Sequence, residues 1–140
     1  MNRNIHFFTE GIKFRINDRS RLKTWFVSAI SRYGKINGEI NIIFTSDKKL
    51  REINLKYLNT DTYTDIITFN LSEEDLVISG DIYISIERIE ENAGIFEVGI
   101  ETELHRVLIH GILHLLGFDD RTTKERAKMR KLEDMFLANF

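Results

Sequence analysis

The strongest chemical signal in this chain is a pair of histidines placed four residues apart in an apolar run. His110 and His114 are the only polar side chains between Val107 and Gly117. The apolar residues around them predict a helix that is buried on nearly all sides. Side chains four residues apart project from the same helix face, with Cβ atoms about 5–6 Å apart. Two imidazoles at that separation can bind one metal ion, which would lie near 2 Å from each ring nitrogen.

The turn after this helix can supply a further metal ligand. Gly117 can end the helix in the left-handed conformation, and Asp119 and Asp120 follow it almost at once. Because the chain turns back there, either carboxylate can reach the two histidines. The alternative is that each histidine is a core residue hydrogen-bonded to a backbone carbonyl. A buried imidazole without a partner is unfavourable by about 1–3 kcal/mol, so two on one helix face favour a shared metal ion.

The run from His110 to Asp120, HGILHLLGFDD, resembles the H-G-x-L-H-L-x-G-[YF]-D-H motif of the YbeY family. This family comprises bacterial zinc-dependent endoribonucleases of ribosomal RNA maturation. Further similarities to its motifs follow the same order along the chain, at Asn54, Thr64–Phe69, Gly80–Ser85, Met129 and Glu133. The resembling stretches extend from about residue 50 to the C-terminus.

The resemblance implies a metal centre of His110, His114 and Asp120 with one zinc ion per chain. It also implies a single-strand-specific endoribonuclease that processes small-subunit ribosomal RNA, with the ribosomal subunit or its proteins as further partners. Two positions depart from the family. Asp120 stands where the family motif has its third metal-ligating histidine, and aspartate is a competent zinc ligand. Leu58 stands where the family motif has an arginine credited with a role in activity, and a leucine side chain cannot hold a phosphate.

The chemistry of such a site follows from its open position. Three protein ligands leave one zinc coordination position for water, whose pKa falls toward ~7. Either that hydroxide attacks the phosphodiester, or the metal acts as a Lewis acid while the 2′-hydroxyl of the RNA attacks. The sequence does not identify the nucleophile or the general base. Histidine and carboxylate ligands also suit manganese, iron, nickel or copper.

Other functional classes use similar residues. A zincin peptidase has a glutamate as general base directly after its first histidine, and this chain has Gly111 there. Two histidines and one carboxylate also occur in non-haem iron oxygenases, which are usually β-barrels. The main alternative is a non-catalytic ribosome-assembly factor that binds RNA and carries a structural metal. Leu58 is the residue that favours this alternative.

The composition indicates one ordinary globular domain over residues 1–140. The chain is 42% hydrophobic and 30% charged, carries a net charge of −2 and has no cysteine, which excludes disulfides and thiolate metal sites. It shows no signal-peptide pattern and no membrane-spanning run, so we expect a cytoplasmic protein. Basic residues crowd the segment after the proposed third ligand. They form either a solvated helix face or a contact surface for RNA phosphates: Arg121, Lys124, Arg126, Lys128, Arg130 and Lys131.

The hydrophobic periodicity predicts an α+β fold, in which a four-stranded sheet packs against about five helices and the metal-ligand helix is buried. Strands are predicted at 5–9, 39–45, 65–70 and 81–86. Helices are predicted at 18–33, 47–57, 86–95, 100–116 and 122–138. Asn17 or Asp18 is expected to cap the first helix and Ser46 the second.

Four further polar residues are candidates for a supporting role around the metal site. Asp65 and Asp81 begin two predicted strands, and they either face the metal-ligand helix or serve as turn residues. Glu103 and Arg106 precede His110 at helical spacing. They either hydrogen-bond a metal ligand or form an ion pair on the helix surface.

Overall fold

A computed structural model describes residues 4–58 and 64–140, which form a four-stranded sheet and five helices. The strands are β1 (Ile5–Thr9), β2 (Ile36–Thr45), β3 (Ile66–Asn70) and β4 (Val77–Ser85). The helices are α1 (Arg19–Arg32), α2 (Asp47–Leu58), α3 (Ile86–Phe96), α4 (Ile100–Leu115) and α5 (Thr123–Ala138). The strand order is β1-β2-β4-β3, with β3 antiparallel to β4 and the other pairs parallel. The predicted α+β architecture is confirmed.

The main hydrophobic core lies on one face of the sheet. Ile40, Ile42 and Phe44 alternate along β2 and are at most 1% exposed, because this face is covered by α1, α3, α4 and α5. Helix α2 packs on the opposite face of the sheet. There Leu50 and Ile53 of α2 form a smaller hydrophobic cluster with Ile67 of β3. None of the helices in the described ranges combines the length and the apolar character that a bilayer crossing requires.

Helix α4 is the central helix and packs against β3, β4, α3 and α5. Gly111 lies where it meets the sheet. A Cβ atom at this position would come within 2.9 Å of Ile66 and 3.1 Å of Ile82. The missing side chain therefore lets the helix approach the sheet closely. It also explains why this position does not carry the glutamate of a zincin, since a larger side chain has no space here.

The predicted helix caps are confirmed in one case and wrong in another. The Ser46 hydroxyl accepts a hydrogen bond from the backbone N–H of Lys49 at 3.1 Å, as a cap of α2 should. Asp18 precedes α1, but its backbone is left-handed, with φ of 59°, and its side chain makes no capping hydrogen bond. The φ value moves the carboxylate away from the usual capping geometry, in which the backbone is extended.

Two strands begin earlier than the sequence pattern predicts. β2 begins at Ile36 and β4 at Val77, and these two residues pair with each other in the sheet. The pairing shifts register between Asn37 and Ile40. An irregularity of this kind breaks the inside–outside alternation on which the prediction was based. The other strand and helix ends fall within about one residue of the predicted ends.

Substituting Gly111 with valine should destabilise the protein by about 1–3 kcal/mol, because the added side chain overpacks the contact between α4 and the sheet. Gly94 of α3 is the matched control, since a Cβ atom there would meet no atom within 4 Å. Gly94→Ala should stabilise the protein by roughly 0.5–1 kcal/mol through helix propensity. Urea unfolding measures both changes. A Gly111→Val protein as stable as the wild type would contradict the close packing.

Candidate metal centre

Helix α4 presents His110 and His114 on one face, one turn apart. Their ring centroids are 4.6 Å apart and their planes are inclined by 77°. The side chains are 20% and 22% exposed, so both rings are partly buried but can still be reached by a ligand. The predicted orientation of the pair is therefore confirmed.

A glycine turn ends α4 and reverses the chain. Gly117 has φ of 102°, and its N–H donates to the carbonyl of His114 at 3.0 Å. The N–H of Phe118 donates to the carbonyl of Leu113 at 3.1 Å. These two bonds form the Schellman motif that often follows a helix with a left-handed glycine. The Phe118 ring packs edge-on against Tyr33, with centroids 5.2 Å apart, and this contact anchors the turn to α1.

The turn brings Asp120 back over the two histidines. Its Oδ2 atom lies 3.3 Å from Nε2 of His110 and 3.4 Å from Nε2 of His114. The ligand atoms of the three residues all lie within 4.8 Å of one another, and the group could hold a metal ion. Asp119, the competing carboxylate, is exposed and lies outside this group.

The other ring nitrogen of His110 is held by a glutamate from α5. The Nδ1 atom of His110 lies 2.6 Å from Oε2 of Glu133, whose side chain is only 6% exposed. With Nδ1 bound to this carboxylate, Nε2 is the ring nitrogen that faces Asp120 and His114. A carboxylate that accepts from the remote ring nitrogen is the usual support of a metal-binding histidine. The sequence placed Glu133 in a family motif but gave no spacing signal for its role, because 23 residues separate it from His110.

Arg106 fixes Glu133 in turn. Its guanidinium donates to Oε1 of Glu133 at 3.0 Å and to Asp134 at 2.7 Å. The side chain of Arg106 is 18% exposed, so this is a partly buried, charge-assisted pair. Of the two expected roles of Arg106, the structure shows the ion pair, and Arg106 contacts His110 only indirectly, through Glu133.

Charges around His110 favour its protonated form. Burial alone lowers its pKa, but the hydrogen bond to Glu133 and the charges of Glu133, Asp120 and Asp65 together raise the pKa above its ordinary value. In the absence of metal, His110 therefore keeps its proton to higher pH than a free imidazole. A metal ion must displace this proton in order to bind.

The two candidate strand aspartates lie in different places. Asp65 precedes β3 and is close enough to His110 for their charges to interact, and burial raises its pKa. Asp81 lies in β4 and accepts a hydrogen bond from Asn41 at 3.1 Å. Asp81 and Asn41 border a separate acidic surface pocket. Only Asp65 thus belongs to the surroundings of the metal centre.

A cavity of about 320 Å³ opens beside the three candidate ligands. His110 and Asp120 contribute to its wall, together with three arginines, Arg106, Arg126 and Arg130. Arg126 also donates to the backbone carbonyl of residue 121 at 2.8 Å, whereas the side chain of Arg130 is 61% exposed. Two members of the predicted basic segment therefore face the site.

Comparison with known proteins identifies the family. The family model described as Endoribonuclease YbeY matches residues 5–140. The Endoribonuclease YbeY of Flavobacterium psychrophilum is 47% identical over 133 residues, which cover 95% of this chain and 94% of that protein. The Christiangramia forsetii protein of the same name is 46% identical over 136 residues, covering 97% of this chain and 94% of that protein.

A solved structure agrees with these sequence matches. The solution structure of a protein from Thermotoga maritima is 31% identical, superimposes with a TM-score of 0.67, and covers 95% of this chain and 86% of that one. The match thus extends over nearly the whole chain. This chain belongs to the YbeY family.

Proposed function

We propose that this protein is a metal-dependent endoribonuclease that cleaves single-stranded RNA during ribosomal RNA maturation. The observation that carries this proposal is the convergence of His110, His114 and Asp120 beside an arginine-lined cavity. It is supported by close relatives that are named endoribonucleases over nearly the whole chain. Residues 1–140 then act as one catalytic domain in the cytoplasm, where ribosomal RNA and the small ribosomal subunit are its partners.

The donor set fits zinc. Ligands placed 2.0–2.1 Å from a tetrahedral zinc ion are about 3.3 Å apart, and the two distances from Asp120 Oδ2 to the histidine Nε2 atoms are 3.3 Å and 3.4 Å. Two imidazoles and one carboxylate are common zinc ligands, and the chain has no cysteine to offer instead. We therefore propose one zinc ion per chain, held by His110, His114 and Asp120, with one coordination position left for water or substrate.

The surrounding residues suit a phosphodiester substrate. A bound zinc ion would lower the pKa of a coordinated water and stabilise negative charge on phosphoryl oxygens. Glu133 orients His110, while Arg126 and Arg130 offer positive charge to RNA phosphates at the same cavity. We propose that this recess of about 320 Å³ takes one unpaired nucleotide, which would favour single-stranded substrates.

RNA binding without cleavage is the second candidate function, and Leu58 is the observation that favours it. Leu58 is the last residue of α2 and is 51% exposed. This apolar side chain cannot supply the charge of the arginine that stands here in the family motif. A binding factor of this kind would keep its affinity for RNA and would not cleave it.

Removal of the metal should abolish RNA cleavage, and added zinc should restore it. Purified protein should contain about one zinc per chain by elemental analysis, and His114→Ala should lose both the zinc and the activity. His6→Ala is the control, because His6 lies in β1 and pairs with Glu39 instead. Cleavage that survives in His114→Ala would point to a contaminating ribonuclease. RNA binding without metal-dependent cleavage would favour the second candidate.

The two aspartates after Gly117 should differ sharply in their effect on metal binding. Asp120→Ala leaves only two protein ligands, so zinc affinity should fall by at least 100-fold, an order-of-magnitude expectation for a lost ligand. Asp119→Ala should keep the affinity of the wild type, because Asp119 is exposed and outside the ligand group. Competition with a chromogenic chelator measures both. The reverse pattern would assign the third ligand to Asp119.

Glu133→Gln should weaken zinc binding about 10- to 100-fold, because His110 loses the charged acceptor that orients its ring. Asp134→Asn is the matched control. Asp134 also binds Arg106 but makes no contact with His110. The affinities should be compared on the alkaline plateau, where protons do not compete with zinc for His110. Equal affinities of the two variants would show that Glu133 does not support the ligand.

A further inference from the structure

The cavity beside the metal centre contains a carboxyl group that the metal centre does not use. Glu103 lies seven residues before His110, so the two share a face of α4 and are separated by about 10 Å of helix. Glu103 is only 5% exposed, yet it lines the cavity. Its backbone N–H donates to the carbonyl of Gly99, but its side chain makes no hydrogen bond or ion pair with any residue in the described ranges 4–58 and 64–140.

A buried carboxyl without a hydrogen-bond donor is unfavourable. Burial, followed by the charge of Asp65, raises the pKa of Glu103, although Arg106 and Arg130 act in the opposite direction. Arg106 directs its own guanidinium to Glu133 and Asp134. The described part of the protein thus leaves the Glu103 oxygens available to a donor that enters the cavity from outside.

Helix α3 forms the opposite wall of the cavity and adds an aromatic ring and an amide. Phe96 is 55% exposed although it is a large apolar residue. Asn92 lines the same space, and its side chain makes no hydrogen bond with another described residue; its amide can both donate and accept. An accessible aromatic ring beside free polar groups is the arrangement with which proteins bind unstacked bases of single-stranded RNA.

We infer that this cavity binds the base of a nucleotide next to the scissile phosphate, and that Glu103 selects guanine. This inference rests on the proposed nuclease function. The Watson–Crick edge of guanine carries two adjacent donors, at N1 and at the N2 amino group, which match the two oxygens of a carboxylate. The same edge of adenine, cytosine or uracil has no two adjacent donors, so one carboxylate oxygen would face an acceptor with no proton between them.

The remaining groups of the cavity fit the rest of that nucleotide. Phe96 can stack on the base, and the exposed guanidinium of Arg130 can attract its phosphate. The Watson–Crick edge is the part of a nucleotide that lies far from its phosphate. Glu103 lies two helical turns from His110, which matches a base that points away from the metal centre.

Base selectivity can be measured directly on the wild-type protein loaded with zinc. The probes are five-residue uridine oligonucleotides whose central residue is guanosine, adenosine, cytidine, uridine or inosine. Their riboses are 2′-O-methylated to prevent cleavage through the 2′-hydroxyl, and they are checked for integrity after an anisotropy titration. Guanosine should bind about tenfold more tightly than adenosine, and inosine, which lacks the N2 amino group, should fall between them. Equal affinities for these three would overturn the inference.

A charge-neutral variant gives a second test. Glu103→Gln replaces one of the two acceptor oxygens by a donor, so the side chain can no longer accept from both N1 and N2 of guanine. The preference for guanosine over adenosine should therefore be lost, while the zinc content and the melting temperature stay unchanged. Glu101→Gln is the control, because Glu101 is an exposed residue of the same helix, and it should keep the guanosine preference. A guanosine preference that persists in Glu103→Gln would contradict the role of Glu103.

The stacking contact is tested with a pair of neighbouring apolar residues. Phe96→Ala should weaken the binding of every oligonucleotide about tenfold, whatever its central base. Ile95→Ala is the control, since Ile95 is 64% exposed and does not line the cavity. Equal effects of the two substitutions would remove Phe96 from the site.

The inference and the proposed function fail in different ways. RNA cleavage without any base preference would contradict the guanine pocket and leave the nuclease proposal standing. Guanosine-selective binding without metal-dependent cleavage would support the pocket and contradict the nuclease proposal.

Discussion

The 2.6 Å hydrogen bond between His110 and Glu133 is the interaction on which the rest of the site depends. It joins α4, the most buried helix, to α5, and it does so through two polar groups that would each be costly to bury alone. The bond also fixes which nitrogen of His110 faces the metal-ligand group. Arg106 completes the arrangement, because it donates a hydrogen bond to the other carboxylate oxygen of Glu133. The packing of α5 and the geometry of the metal centre are therefore set by the same contacts.

Helix α4 must satisfy two opposite requirements. It has to pack closely on the sheet, and it has to present two imidazoles to a polar site. Gly111 meets the first requirement, because only a missing side chain fits against Ile66 and Ile82. His110 and His114 meet the second on a different face of the helix. A single helix can serve both purposes because the residue spacing separates the faces.

The parts of the site that are local in sequence could be predicted, and those that depend on distant contacts could not. The four-residue spacing of the histidines and the glycine turn led directly to Asp120 as a candidate ligand. The hydrogen bond of Glu133 to His110 could not be predicted, because the two residues lie 23 positions apart on different helices. The start of β2 was misplaced because a register shift near Asn37 breaks the alternation. The Asp18 side chain likewise does not cap α1 because its backbone has a positive φ, which the residue type does not reveal.

In the proposed metal centre, an aspartate at position 120 in place of the histidine of the family motif would change the electrostatics of substrate binding. A divalent metal ion bound there would have its charge partly offset by the carboxylates of Asp120 and Glu133, although Glu133 is also paired with Arg106. Such a centre attracts an RNA phosphate less strongly than one with three neutral histidines. The positive charge that attracts the RNA phosphate would then have to come from nearby side chains, and Leu58 carries none. Arg126 and Arg130 can, because both line the cavity beside the ligands. In the proposed function, the basic segment that follows Asp120 in the sequence would thus compensate for this substitution.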